Sequence, residues 1–236
     1  MAWRGSMPGG EPLVLELRQL QAFYGPAQAL FGVDLSVGAG QLVVLQGLNG
    51  AGKSTLLKAV IGLEVRTRGQ ILLTPDRSAA PVSIAAWPAH RRACSGLGYV
   101  PEDRRLFASL TVRENLLIAG GTADRLDWLL ERFALLKPML GRLASQMSGG
   151  EQQMLATARA LMTQPRLLLL DEPCEGIAPV LVEAMVQTLI DLRSEGLALL
   201  VAEQNRQLAQ AADQVLELVA GKVRSGSDLS NERNFS

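Results

Sequence analysis

Four short apolar runs, each stopping at a polar residue, constrain this chain more than any other feature: LVVLQG (42–47), LGYVPE (97–102), LLLLDE (167–172) and LALLVAEQ (197–204). Runs of this length, rich in Leu and Val and without alternation, are what strands buried on both faces of a parallel sheet look like. Helical patterns fall between and around them at 53–62, 111–119, 150–163 and 179–194, the alternation of an α/β fold. Residues 13–17 (LVLEL) and 33–37 (VDLSV) instead alternate apolar and polar, as half-buried antiparallel strands do. A small antiparallel β-subdomain should therefore open the fold. From about Thr74 to Gln164 only one core-type strand interrupts helical stretches bounded by Pro88, Pro101 and Pro138. That segment reads as an inserted helical subdomain, with its helices at roughly 88–164. Ligands of open parallel sheets bind at the carboxyl ends of the strands, so Gly47, Glu102, Asp171, Glu172 and Gln204 should gather along one edge.

The length of 236 residues suits one α/β unit with a minor subdomain. Its 23 basic and 23 acidic residues cancel, so no global charge draws it to nucleic acid or an anionic membrane, and any phosphate chemistry must be local. Cys94 and Cys174 have neither metal-like spacing nor a disulfide framework, which fits a reducing compartment and two bland thiols. No stretch approaches the roughly 20 apolar residues that cross a bilayer. Residues 1–12 read as a disordered leader with Met7 available as a second start, 13–226 as the folded domain, and 227–236 as a frayed tail. The one histidine, His90, has no partner motif and reads as a surface residue.

GLNGAGKST, Gly47 to Thr55, has the spacing of a phosphate loop and its context, after an apolar strand and before an apolar-periodic helix. Its glycines let backbone N–H groups wrap phosphate oxygens, and the helix N-terminus adds partial positive charge. Lys53 would reach the β and γ phosphates and the Ser54 hydroxyl a Mg²⁺. A glycine-rich turn before an ordinary helix would match the letters without needing that context. In LLLLDEP, Asp171 suits a metal ligand and Glu172 the activation of an attacking water; the plain alternative is a solvated acidic strand end. In MSGGEQQMLATARALM, Ser148 and Glu151 have capping-box spacing, and Met154, Leu155, Ala158, Leu161 and Met162 share a face. Gly149 and Gly150 weaken such a helix by about 1 kcal/mol each, so close approach of the backbone to an anion is the expected use.

SGGEQQ stands about 20 residues before LLLLDE and about 95 after GLNGAGKST; together they resemble the signature of ATP-binding-cassette ATPases, over about Leu13 to Gly226. The resemblance implies a P-loop NTPase (RecA-like) parallel-sheet core with ATP and Mg²⁺ as cofactors. It also implies two ATPase domains paired head to tail. Gly47, Leu48, Asn49, Gly50, Ala51, Gly52, Lys53, Ser54 and Thr55 would then hold one ATP with Asp171 and Glu172. Ser148, Gly149, Gly150 and Glu151 would cover the γ-phosphate of the ATP on a second subunit, whether the same chain or a different one. Tyr24, in AFYGPAQAL, stands where an aromatic ring stacks on adenine; otherwise it is a turn tyrosine. Lys53, Glu102, Glu172 and Gln204 are the implied catalytic set, and Ser54, Asp171 and Glu102 the metal-facing set.

Three positions depart from the common family pattern: Glu102 where Gln usually follows YVP, Ala178 where an Asp usually ends the loop after Glu172, and Gln204 where a histidine usually faces the γ-phosphate. YVPEDRRLFASLTVRENL, SGGEQQMLATARALMTQPRLLLLDEP and AEQN resemble the ATPase subunits of branched-chain amino acid importers. EGI after the carboxylates leans instead toward the urea and short-amide branch. Amino-acid uptake is the favoured expectation, with permease subunits in the membrane, a solute-binding protein acting through them, and this chain peripheral on the cytoplasmic face. The segment 102–110 (EDRRLFASL) would meet the permease, unless EDRR is only a solvated turn. A soluble ABC ATPase of DNA repair or translation is the competing class, but it predicts fused cassettes, long coiled coils or a basic groove, and none of these is present.

Overall fold

The computed structural model describes residues 13–75 and 79–224; the leader 1–12 and the tail 227–236 lie outside the described residues. β1 (Leu13–Tyr24) and β2 (Ala27–Gly38) form an antiparallel hairpin across Gly25 and Pro26. Leu15 pairs with Val37 and Leu17 with Leu35, so the apolar alternation of both segments faces one core. The hairpin runs well past the two five-residue stretches read from sequence, because Gln19 breaks the period. That residue has φ 48 and bonds its N–H to Asp34 Oδ1 at 2.7 Å, a bulge of the kind that interrupts alternation.

β3 (Leu42–Gln46) and α1 (Lys53–Ile61) flank the glycine-rich loop. β4 (Arg66–Leu73) and β5 (Val82–Ser83) then extend the first sheet to the order β2-β1-β4-β5. Neither strand is legible in the sequence: β4 exposes Arg66, Arg68, Gly69 and Gln70 and buries only Ile71 and Leu73. After α2 (Ala89–Cys94), β6 (Leu97–Val100) joins the main sheet. Its neighbour α2 is anchored by Arg92, whose guanidinium donates to Ala59 O, Val60 O, Ala85 O and Trp87 O. Those carbonyls include the end of α1, where a cation favours the helix dipole.

α3 (Val112–Leu117), α4 (Ala123–Arg132), two 3₁₀ turns at Ala134–Met139 and Ala144–Gln146, and α5 (Gly149–Met162) fill the stretch before β7 (Leu167–Asp171). α6 (Pro179–Ser194), β8 (Ala198–Ala202), α7 (Arg206–Ala211), β9 (Gln214–Val219) and β10 (Lys222–Arg224) follow. The main sheet has the order β10-β9-β3-β8-β7-β6, with β9, β3, β8, β7 and β6 parallel and β10 antiparallel at the edge. Leu167 to Leu170 and Ala198 to Ala202 are completely buried, as the continuous apolar runs require. Helices cover both faces, and no helix among the described residues is long and apolar enough to cross a membrane. Both apolar cores share the strands: one joins β3, β7 and β8 to α5 and α6, the other to α1 and the β1–β2 hairpin.

Candidate functional site

The loop after β3 closes because only glycine fits its first position. Gly47 has φ 150, and a Cβ there would stand 2.3 Å from Leu218 O on β9. The turn delivers Lys53 to the start of α1, buried, with its ammonium donating to Gly47 O at 2.9 Å and lying 3.3 Å from Glu172 Oε1. Ser54 donates its hydroxyl to Asp171 Oδ1 at 3.0 Å, joining the loop to the end of β7. A cavity of about 310 Å³ opens over them, lined by Asn49, Gly50, Lys53, Ser54, Glu102 and Glu172 among others. Tyr24 stands beside it, half exposed, with its hydroxyl 3.4 Å from Thr55 Oγ1. Gln204 donates to Asn49 Oδ1 at 3.1 Å, so the end of β8 reaches the loop as well. The sequence-predicted edge is therefore assembled: Gly47, Glu102, Asp171, Glu172 and Gln204 all belong to it.

The carboxylates differ in charge state because their surroundings differ. Asp171 is buried, and that burial, with the charges of Glu172 and Glu102, pushes its pKa up to about 6 despite the Ser54 bond. Tyr99 also points its hydroxyl at Asp171 Oδ2, 3.5 Å away, and is itself held above its usual range by burial and by Asp171. Glu172 is kept below the ordinary carboxylate range, first by a hydrogen bond shared with Glu175 and then by Lys53. That shared bond raises Glu175 to about 7. The two carboxylates titrate as a pair, and Glu172, which faces Lys53, is the one held toward the ionised form. Ser54 Oγ and Asp171 Oδ1 form a compact oxygen pair beside a lysine and a glycine-lined turn, and this donor set fits Mg²⁺ with a polyphosphate. Glu102 lies with Glu172 and Glu175 in an acidic group whose ligand atoms approach within 4.8 Å of one another.

Glu175, Tyr99 and Glu203 belong to the site without having been singled out from the sequence. Glu203 is buried and accepts from the backbone N–H of Gln204 (2.7 Å), Asn205 (3.1 Å) and Cys174 (2.8 Å). Its carboxylate ties the turn after β8 to the loop after β7. Glu175 had a signal, since it is a third acid only three residues beyond Glu172 in DEPCEG. Cys174, buried beside Glu203, has its thiol pushed up to about 12 by burial and that charge, which makes it inert. Cys94 and His90 are exposed.

Ser148, Gly149, Gly150 and Glu151 do not line the cavity. Their capping box forms: Glu151 N–H donates to Ser148 Oγ at 3.3 Å, and Ser148 N–H to Glu151 Oε2 at 2.7 Å. Gly150 has a packing reason that the sequence did not suggest. A Cβ there would come within 2.5 Å of Leu181 Cδ1 and 3.3 Å of Ile177 Cβ, so the glycine lets α5 start against the head of α6. EDRR is more than a solvated turn. Arg104 and Arg105 have φ 61 and 46, and Arg159 of α5 donates to both of their carbonyls at 3.3 and 2.8 Å. Arg104 in turn donates to Gln153 Oε1 (3.0 Å) and Gln152 Oε1 (3.3 Å), so the segment after β6 is bound to the helix that Ser148 caps. Phe107, Leu117 and Ile118 nearby are exposed apolar side chains.

Residues 30–175 match the family model described as ABC transporter. A high-affinity branched-chain amino acid transport ATP-binding protein, BraG of Pseudomonas aeruginosa, is 38% identical over 217 residues, covering 89% of this chain and 91% of the relative. A probable branched-chain amino acid transport ATP-binding protein, LivF of Archaeoglobus fulgidus, is 37% identical over 89% of this chain and 90% of its own. The lipopolysaccharide export ATP-binding protein LptB of Haemophilus influenzae is 32% identical over 89% and 88%. Among solved structures, an ATP-binding subunit of an ABC transporter superposes with a TM-score of 0.78 at 28% identity over 94% of this chain and 93% of that one. A bacterial ABC transporter cassette solved as a dimer superposes with a TM-score of 0.78 at 23% identity, over 89% and 97%.

Proposed function

This chain belongs to the ABC transporter family, as the ATP-binding and ATP-hydrolysing subunit, and from that premise we propose that it drives uptake of branched-chain amino acids. The substrate reading is supported by the two branched-chain relatives at 38% and 37% identity, each matched over about nine-tenths of both chains. The lipopolysaccharide exporter subunit follows at 32%. Glu102 and Gln204 point the same way, as residues of the segments that resemble that branch. Urea or short-amide uptake is the second reading, favoured by Glu175-Gly176-Ile177.

The hydrolytic chemistry rests on one observation, the Ser54–Asp171 pair beside the Lys53–Glu172 pair at the carboxyl end of the sheet. The turn Gly47 to Thr55 would hold the phosphates with its N–H groups, and Lys53 would swing from Gly47 O and Glu172 to the β and γ phosphates. Ser54 and Asp171 would hold Mg²⁺, with Glu102 facing it across the cavity; when bound, that ion neutralises charge on the phosphate oxygens. Glu172, ionised at neutral pH, would orient the attacking water and take its proton. Gln204 would donate to the γ-phosphate, and Tyr24 would stack on the adenine. Ser148, Gly149, Gly150 and Glu151 would cover the ATP of a second ATPase subunit set head to tail, because they lie away from this chain's own cavity. The segment 102–110 would meet membrane permease subunits, with the Arg104 and Arg159 bonds carrying its movement to α5; a solute-binding protein would act through the permease. The chain would then be peripheral on the cytoplasmic face of the membrane.

The substrate test is reconstitution of the chain with the permease proteins that purify with it, followed by ATP-dependent uptake of labelled L-leucine and urea. Uptake of leucine in preference to urea is expected. Urea uptake without leucine uptake would transfer the reading to the amide branch, and recovery of the chain only with ribosomes or DNA would remove transport altogether.

A further inference from the structure

At the opposite end of the main sheet from the phosphate loop, a second cavity of about 280 Å³ opens between α4, the end of α5 and the end of α6, where β7 and β8 begin. It lies just below the roughly 300–1,000 Å³ of drug-sized pockets, so its occupant has on the order of ten non-hydrogen atoms. Two guanidinium groups line it, Arg125 and Arg166; neither is in salt-bridge contact with a carboxylate among the described residues, and Glu195 acts on Arg125 only through space. Arg125 lies 3.5 Å from the centroid of the Trp128 ring and donates from Nη2 to Leu161 O at 2.6 Å. Its Nε is buried with no hydrogen-bond partner. Arg166 donates from Nη1 to Thr74 O at 2.8 Å. Across the cavity from α4, Glu195 accepts both bonds from Arg132 on Oε1, at 3.1 and 2.6 Å, which leaves its Oε2 uncommitted among the described residues. Leu161, Leu192 and Leu197 supply the apolar side.

Guanidinium groups held partly out of water without an anion in contact are costly, and the geometry of Arg suits capture of a carboxylate. A carboxylate on the opposite wall selects a cation on the same occupant, and the leucines select an aliphatic body. We propose that this cavity binds a small zwitterion with an aliphatic side chain, an α-amino acid of about the size of leucine. Its carboxylate meets Arg125 and Arg166, its ammonium meets Glu195 Oε2, and its side chain rests on Leu161, Leu192 and Leu197. The occupant touches α4 and α5 on one side and the α6–β8 junction on the other. It therefore bridges the helix that Ser148 caps and the sheet that carries the phosphate loop. The lining alone specifies the ligand, whichever solute the transporter carries.

Calorimetric titration of the full chain without nucleotide tests this, with L-leucine, 4-methylpentanoate (no ammonium) and 3-methylbutylamine (no carboxylate) as probes. Saturable one-to-one binding of leucine is expected, with each singly charged analogue about tenfold weaker or more, the loss of a charge-assisted contact. Arg166→Gln and Glu195→Gln should each weaken leucine about tenfold while the ATPase rate without leucine stays at the wild-type value. Absence of saturable leucine binding up to about 20 mM overturns the proposal, as does an analogue binding as tightly as leucine. Unchanged leucine affinity in both variants overturns the location. The analogue series uses only the wild-type chain, so it decides even if a variant folds poorly.

Discussion

β7 and β8 lie side by side in register, with Asp171 opposite Ala202, and each runs through buried apolar residues into two polar ones: Asp171 and Glu172 on the first, Glu203 and Gln204 on the second. On both strands the first acid is buried, Asp171 at 2% exposure and Glu203 at 6%. Their surroundings are opposite. Glu203 receives three backbone N–H groups, whereas Asp171 receives two hydroxyls, Ser54 at 3.0 Å and Tyr99 at 3.5 Å, and the repulsion of Glu172 and Glu102. One carboxylate holds two loops together, and the other is kept in want of a cation. Burial of a charge alone does not say which of these a residue is; the donors around it do.

The largest effect should come from Glu172. Glu172→Gln keeps the shape but removes the base, and general-base loss typically lowers rate by about 10²–10⁴-fold. Steady-state phosphate release should fall by that factor while fluorescent ATP-analogue binding persists, leaving an ATP-bound pair that gel filtration detects. A variant that hydrolyses normally would break the contrast, because β7 would then carry no more chemistry than β8.

The two buried acids should respond to neutralisation with opposite signs. Glu203→Ala strands three amides and cuts the tie between the loops, a loss of about 3 kcal/mol read as a lower denaturant midpoint. Asp171→Asn should stabilise the nucleotide-free chain. The folded pKa of Asp171 is raised from 3.8 to about 6, so its favourable contribution is complete below the unfolded pKa and is lost as pH rises through about 6. The shift of about two pKa units corresponds to an upper bound of about 3 kcal/mol. Retention of the Ser54 bond by Asn makes about 1–2 kcal/mol the expected gain at pH 8 and little gain at pH 4. Equal destabilisation by both substitutions would show that the two strand ends are built alike.

Much of this edge is visible in the sequence because its constraints are local. A strand buried on two faces must be apolar, a phosphate loop must have glycine at Gly47, and the Ser148–Glu151 spacing marks a capped helix start. The roles of Glu203, Arg92 and Gly150 are set by groups far along the chain: Cys174 N–H for the first, the carbonyls at the end of α1 for the second, and Leu181 and Ile177 for the third. No periodicity encodes such pairings. β4 escapes for another reason, since it is an exposed ribbon whose arginines carry no strand pattern. The fold was thus legible where burial dictates residue type, and illegible where a polar side chain meets a distant backbone.

Gln204 should give the smallest effect and the sharpest reading of the β8 end. Its side chain is exposed and bonds Asn49 Oδ1 at 3.1 Å, so it is joined to the phosphate loop while Glu203 beside it carries the structural load. A neutral amide donates one or two hydrogen bonds but cannot become cationic near neutral pH. Gln204→Ala should therefore lower turnover about three- to tenfold, the worth of one neutral hydrogen bond in the transition state, with ATP affinity and melting temperature nearly unchanged. Gln204→His should restore the rate and add a dependence on pH near 6.5, the ordinary histidine range. If the alanine variant turns over at the wild-type rate, Gln204 only steadies Asn49, and the whole catalytic burden of the two strand ends rests on β7.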